Sequence, residues 1–259
     1  MQFKIRSSAI GKIMAGKIGL SDNQKIDFDE LSNKEKITPK QLIKLDALRF
    51  KKDNPELTEG AKTYCKIWLK EQTLNRGNNF GSKFTEKGNV MEDESIDFIA
   101  KMLNYGMLIK NPVHFENDFI TGTPDILTGD GYVFDAKNSW DHETFPLFES
   151  KIPNYDYYWQ LQGYMDLTKK DKAKLVYVLS NTPENLIERE ARFYCTNFGY
   201  EDLDYDIYKK FADRMTYDDV EDKYRITVFE VNRNQSDIDS IYLRVKLCRD
   251  YIETLKSSL

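Results

Sequence analysis

Histidine and cysteine are scarce in this sequence, and long apolar runs are missing. Among 259 residues there are two histidines and three cysteines. Neither His114 nor His142 has a partner at i+3 or i+4, so no zinc site is expected. Cys65, Cys195 and Cys248 are odd in number, far apart and without a C-x-x-C pair, which makes them expected reduced core residues and leaves no four-cysteine iron–sulfur cluster to build within one chain. No stretch approaches the ~18 apolar residues of a membrane helix, and Met1 to Arg6 lack the apolar core and cleavage site of a signal peptide. A soluble, cytoplasmic chain is expected. Positive charge is not in surplus either: 38 Lys and Arg face 43 Asp and Glu, a net charge of −5, which argues against a uniformly basic surface that coats nucleic acid. Internal repeats and linkers are missing as well, so residues 1–259 read as one domain.

What is present is enough apolar and aromatic material, 40% and 13%, to build a real core. Ser7 to Met14 read as an N-cap and short helix with Ile10, Ile13 and Met14 on its apolar side. Residues 21–35 are polar and read as a loop. Thr38-Pro39 starts a helix carrying Leu42, Leu45 and Leu48, and a second runs from Thr58 to Leu74. Together, residues 21–80 read as a helical insertion. Phe84 to Leu103 read as one long helix, with Glu92 in line with Ile96, Ile99 and Leu103, an apolar stripe in which a carboxylate needs a partner or a metal. The alternative is that Glu92 lies at the stripe's edge and reaches solvent. Short strands are expected at 113–116 and 119–120, then at 174–179, 191–195 and 224–231. Helices are expected at 155–167 and, through Ile238, Ile241, Val245, Cys248, Ile252 and Leu255, at the C-terminal end. The fold class is α/β, a mixed central sheet flanked by helices.

The centre of the pattern is Thr121-Gly122-Thr123-Pro124-Asp125 followed by Val133-Phe134-Asp135-Ala136-Lys137. Thr128-Gly129-Asp130-Gly131 between them is a turn, so the flanking runs form a hairpin that sets Asp125 across from Asp135. Asp135 and Lys137, two apart, share one sheet face. Two carboxylates held together repel unless one is protonated or a hard cation sits between them. Mg²⁺ suits such a pair, and an adjacent lysine can orient or activate a water and balance charge on a phosphate. The competing reading is a surface hairpin with solvated charges. On the 155–167 helix, Gln160 and Tyr164 share a face at i, i+4, where an amide can serve both a water and a phosphate oxygen.

Gly122-Thr123-Pro124-Asp125 with Asp135-Ala136-Lys137 resembles the signature of the PD-(D/E)XK nucleases, in their phage recombination exonuclease (lambda-exonuclease-like) branch. Lys87 to Glu94 upstream and Gln160-x-x-x-Tyr164 downstream match in order and spacing. The resemblance implies a restriction-endonuclease-like fold and Mg²⁺-dependent deoxyribonuclease activity, with Mn²⁺ a possible substitute and no iron–sulfur cluster. Asp125, Asp135, the carbonyl of Ala136 and Glu92 would hold the metal, with Gly88 allowing close approach at Glu92. Lys137 would orient or activate the water, and Gln160 would position it. Ser8, Thr123, Tyr164 and Arg6 would meet the substrate, Ser8 and Arg6 at a 5′ phosphate, although Ser8 read without the resemblance is a plain helix cap. The family degrades linear duplex DNA from the 5′ end in phage recombination, works with a single-strand annealing protein, and includes ring-shaped trimers. The rival readings are an endonuclease of the same superfamily and a catalytically silent DNA-binding or assembly module.

Overall fold

The computed structural model describes residues 2–77 and 81–258. The expected hairpin is there: β4 (Ile126–Leu127) and β5 (Tyr132–Asn138) pair antiparallel, with Ile126 opposite Phe134 and Leu127 opposite Val133. Its turn closes through Gly131 at φ +95°, a conformation that glycine adopts without steric cost. β5 runs parallel to β6 (Lys172–Val178), and such neighbours need a crossover, which contains α7 (Tyr155–Thr168). β7 (Ile226–Asn232) pairs antiparallel with β6 and completes a mixed sheet of order β4-β5-β6-β7.

The two-residue period of β5 decides what each face receives. Val133 packs with Leu161 and Met165 of α7 and Leu175 of β6. Phe134 points the other way, into a cluster with Val176 and with Ile96 and Ile99 of α6 (Glu92–Met102). Asp135 and Lys137 follow Val133 onto the α7 side. Each fully buried aliphatic or aromatic side chain stabilises the fold by roughly 1.5–3 kcal/mol. A one-residue slip would drive Asp135 into the Ile96–Ile99 cluster and is strongly disfavoured.

A second, three-stranded sheet has the order β1-β3-β2, from β1 (Ile5–Arg6), β2 (Phe115–Glu116) and β3 (Ile120–Gly122). Arg6 and Glu116 both pair with Thr121, so the three side chains form one row. Ile5 and Ile120 sink into a core with α1 (Ile10–Met14), α4 (Glu59–Leu74) and α10 (Gln235–Lys256), built from Ile10, Ala61, Cys65, Ile241 and Cys248 among others. The three cysteines are free and buried. One glycine draws the sheet onto α7, and another draws α7 onto α1. A Cβ at Gly122 would sit 2.7 Å from Ser7 Oγ and 2.9 Å from Tyr164 Cε1, and one at Gly163 would sit 2.5 Å from Ile10 Cδ1. No described helix is long and apolar enough to cross a membrane.

Several elements differ from expectation. Residues 21–35 are not a loop: α2 (Asp22–Ser32) starts with a capping box between Ser21 and Gln24 and buries only Leu31, so its apolar signal is thin. It packs on α3 (Pro39–Asp53) through Leu31, Leu45 and Leu48. Ala191 to Cys195 are helical, inside α8 (Glu184–Asn197), where Leu186, Ile187, Ala191 and Cys195 are the buried residues at helical spacing. α9 (Tyr205–Met215) follows. The expected long helix is two, α5 (Lys83–Val90) and α6, broken at Met91. They answer to different anchors: α6 packs Ile96 and Ile99 on the sheet, whereas α5 is tied by the buried Lys87 ammonium to the carbonyls of Ser139, Trp140 and Ser180 at 2.8–2.9 Å. Gly88 provides no close approach, since a Cβ there would meet nothing within 4 Å. Neither Ser7 nor Ser8 caps the helix, whose N-cap is Ala9; the buried Ser7 opens a 3₁₀ turn and donates to Thr121 O. The last three residues of the expected 21–80 insertion, Asn78 to Phe80, lie outside the described residues.

Candidate active site

The β4–β5 register continues one step to set Asp125 opposite Asp135. Asp125 Oδ2 accepts the Ala136 N–H at 2.8 Å. Its carbonyl accepts the Asn111 N–H at 2.7 Å, and the Asn111 amide donates to Pro124 O at 3.0 Å, so the preceding turn is clamped from the side. Burial, and after it the charge of Asp135, push the Asp125 carboxyl up to about 7, against the pull of Lys137 and the Ala136 N–H.

Asp135 is 1% exposed. Its Oδ1 accepts from Gln160 Nε2 at 2.9 Å, and the same amide donates to Tyr164 OH at 3.0 Å, as the i, i+4 spacing on α7 requires. Lys137 Nζ lies 2.6 Å from Asp135 Oδ2, an ion pair that occupies the second oxygen of this carboxylate. Burial disfavours the Lys137 ammonium, but the charges of Asp135 and Asp125 outweigh it and raise its pKa. The ammonium also sits 4.8 Å from the centre of the Tyr157 ring. Burial, and then Asp135, push the Tyr164 hydroxyl up. Lys137 is therefore charged at neutral pH, and Tyr164 is protonated.

Glu92 is paired outside this group but lies near enough for its charge to act on Asp125. It is the first residue of α6, and its Oε2 lies 2.5 Å from Lys110 Nζ. Its side chain is partly exposed rather than sunk in the stripe with Ile96 and Ile99. Among the described residues, no three His, Cys, Asp or Glu side chains gather closely enough to hold a metal ion.

The polar face of the three-stranded sheet adjoins these residues. Thr121 and Thr123, two apart in extended chain, share a side, and His114 bridges them: Nε2 is 2.6 Å from Thr121 Oγ1 and Nδ1 is 3.0 Å from Thr123 Oγ1. His114 and Thr121 line a cleft of about 690 Å³ with Lys4, Arg6, Tyr64 and Trp68. Ser8 is exposed on the 3₁₀ turn beside the buried Ser7.

Thus Asp125, Asp135, Lys137, Gln160 and Tyr164 come together, and Arg6 and Thr123 belong to the adjoining cleft or its edge. Lys110, Asn111 and His114 were not singled out from sequence. Each is placed by pairing with a distant segment, and only the expected 113–116 strand pointed toward one of them. For a divalent metal the donor set fits: the carboxylates of Asp125 and Asp135 face each other, closely enough that the charge of Asp135 helps push Asp125 up to about 7, and hard cations such as Mg²⁺ take one or two carboxylates and leave their other positions to water and phosphate.

Neither a protein-family model nor a curated protein matches this sequence. Solved structures do. A phage-related exonuclease from Haemophilus somnus 129PT is similar at TM-score 0.72 and 26% identity, over 100% of this chain and 97% of that one. LHK-Exo, an alkaline exonuclease from Laribacter hongkongensis, is similar at TM-score 0.55, and its complex with dAMP at 0.58, each at 12% identity over 98% of this chain and 92% of that one. From end to end, then, the chain has a mixed α/β fold that it shares with phage-related and alkaline exonucleases.

Proposed function

We propose that the protein is a divalent-metal-dependent deoxyribonuclease of the PD-(D/E)XK type, an exonuclease that degrades linear duplex DNA from its 5′ end in phage-type recombination. The observation that carries this reading is the meeting of Asp125, Asp135 and Lys137 on the α7 face of the four-stranded sheet, with Gln160 donating to Asp135. The metal, Mg²⁺ or in its place Mn²⁺, would be held by Asp125, Asp135 and the Ala136 carbonyl, with Glu92 directly or through a water. It would supply stabilisation of charge on the scissile phosphate and acidity to a water.

The chain's own groups do the rest. Lys137, raised in pKa, acts as a cation: it orients the attacking water and balances charge on phosphorus rather than accepting a proton. Gln160 fixes the rotamer of Asp135 and hands its second N–H to Tyr164. The cleft beside Thr121 suits a DNA end, since Arg6 supplies charge, Thr121 supplies a hydroxyl, and Tyr64 and Trp68 supply aromatic surface, while Lys4 there is paired with Glu116 at 3.1 Å. Ser8, exposed two residues after Arg6, is proposed as a further hydroxyl for the DNA end. Binding of dAMP by LHK-Exo agrees with a site that handles nucleoside monophosphates. By the resemblance to the lambda-exonuclease-like branch we expect a single-strand annealing protein as partner and a ring-shaped homotrimer, and from the N-terminal sequence a cytoplasmic location.

The test uses linear duplex with and without a 5′ phosphate, and a closed circle, each with Mg²⁺ or EDTA. Mg²⁺-dependent loss of linear DNA alone, faster from phosphorylated ends, is the expected result. Cutting of the circle would make the protein an endonuclease, and binding of DNA without any Mg²⁺-dependent cleavage would make it a silent module.

A further inference from the structure

Lys110 reaches the site along a route of its own. Its backbone bridges Ile126 antiparallel, and the next residue, Asn111, is hydrogen-bonded to Asp125 O and Pro124 O. The segment that carries Lys110 is thereby laced to the segment that carries Asp125. Its ammonium lies 2.5 Å from Glu92 Oε2, with the two side chains 52% and 24% exposed. The other lysine of the site is held differently: Lys137 lies against the 1%-exposed Asp135 and is itself largely covered. One lysine is fixed and the other is exchangeable.

We propose that Lys110 is a built-in counter-ion for Glu92, which competes with a divalent metal for that carboxylate and so sets how tightly the site holds metal. The inference rests on the metal-dependent reading above. A carboxylate oxygen in contact with an ammonium cannot give its full charge to a second cation, so metal that draws on Glu92, directly or through a water, must displace or share with Lys110. Displacement is inexpensive because a solvent-exposed ion pair contributes little, typically about 0.2–1 kcal/mol. Lys110 therefore trims metal affinity without blocking it. It also separates the roles of the three acids: Asp125 and Asp135 hold the metal, and Glu92 adjusts how firmly.

The experiment is Mn²⁺ binding to the metal-free full chain without DNA, followed by the electron paramagnetic resonance of free Mn²⁺. It compares wild type, Lys110→Met, Lys110→Arg, Glu92→Gln and the Glu92→Gln/Lys110→Met double variant, with circular dichroism to confirm folding. Lys110→Met is expected to bind Mn²⁺ roughly two- to fivefold more tightly, the factor that an exposed ion pair of this strength represents. Lys110→Arg, which keeps the cation, should bind like wild type, and the double variant should gain nothing over Glu92→Gln. Unchanged or weaker binding by a folded Lys110→Met variant would overturn the proposal while leaving the metal-dependent reading in place, as would an equal gain in the Glu92→Gln background. Failure of every variant, wild type included, to bind Mn²⁺ would overturn both.

Discussion

The two sheets hold their polar side chains under opposite conditions. On the four-stranded sheet Asp135 is 1% exposed, and its oxygens are tied to Gln160 at 2.9 Å and Lys137 at 2.6 Å. On the three-stranded sheet His114, Thr123 and Arg6 are exposed, and the His114–Thr121–Thr123 bridge lies at the rim of an open cleft. Charges that are buried and paired cannot rearrange cheaply, which suits groups that must meet a reacting phosphate in one geometry. Exposed hydroxyls and cations keep their freedom and suit a substrate whose sequence is irrelevant. On the proposed reading the molecule separates chemistry from grip, and Gly122 lets the two regions pack in contact.

Substitutions on the buried side should have the largest effects. Asp135→Asn and Lys137→Ala should each lower the single-turnover rate of DNA hydrolysis by about 10²–10³, the range for losing one group that stabilises charge in the transition state. Lys87→Met should unfold more easily by roughly 1–3 kcal/mol in thermal or denaturant melts, because three carbonyls at the ends of β5 and β6 lose their shared donor. Its pH dependence has a fixed sign. Burial lowers the Lys87 pKa from 10.5 to about 8, so from about pH 8 to 10.5 the unfolded chain binds a proton that the folded chain does not. Wild-type stability should therefore rise relative to Lys87→Met as pH climbs through that window. Gln160→Ala, which releases both Asp135 and Tyr164, should cost about 10–100-fold in rate, as removal of a ligand-orienting partner does. The smallest effect is expected on the open side. His114→Ala should raise KM severalfold on 5′-phosphorylated ends, leaving kcat and the rate on 5′-hydroxyl ends nearly unchanged. A loss of kcat there equal to that of Gln160→Ala would erase the distinction between the sheets.

Local geometry made the buried side legible in sequence. A turn of four residues fixed the register of Asp125 against Asp135, period two put Lys137 beside Asp135, and i, i+4 put Gln160 beside Tyr164. The open side depends on pairing between distant segments: His114 meets Thr123 only because β2 lies antiparallel to β3, and Lys110 meets Glu92 only because it bridges Ile126. No spacing rule exposes such contacts. The misread elements have local causes. Ala191 to Cys195 form a short run rich in β-favouring residues, yet Leu186 and Ile187 extend it at helical spacing. α2 shows a capping box at Ser21 and Gln24 but almost no apolar face to announce it. The break at Met91 follows from where Lys87 is anchored, a partner visible only once β5 and β6 are in place.

The most direct test of the account is single-turnover hydrolysis of a 5′-phosphorylated linear duplex by wild type and Lys137→Ala, in saturating Mg²⁺ and in EDTA. Mg²⁺-dependent release of mononucleotides by wild type, none in EDTA, and a variant slower by about 10² or more while still folded is the predicted result. Hydrolysis in EDTA, or a Lys137→Ala protein as fast as wild type, would contradict it.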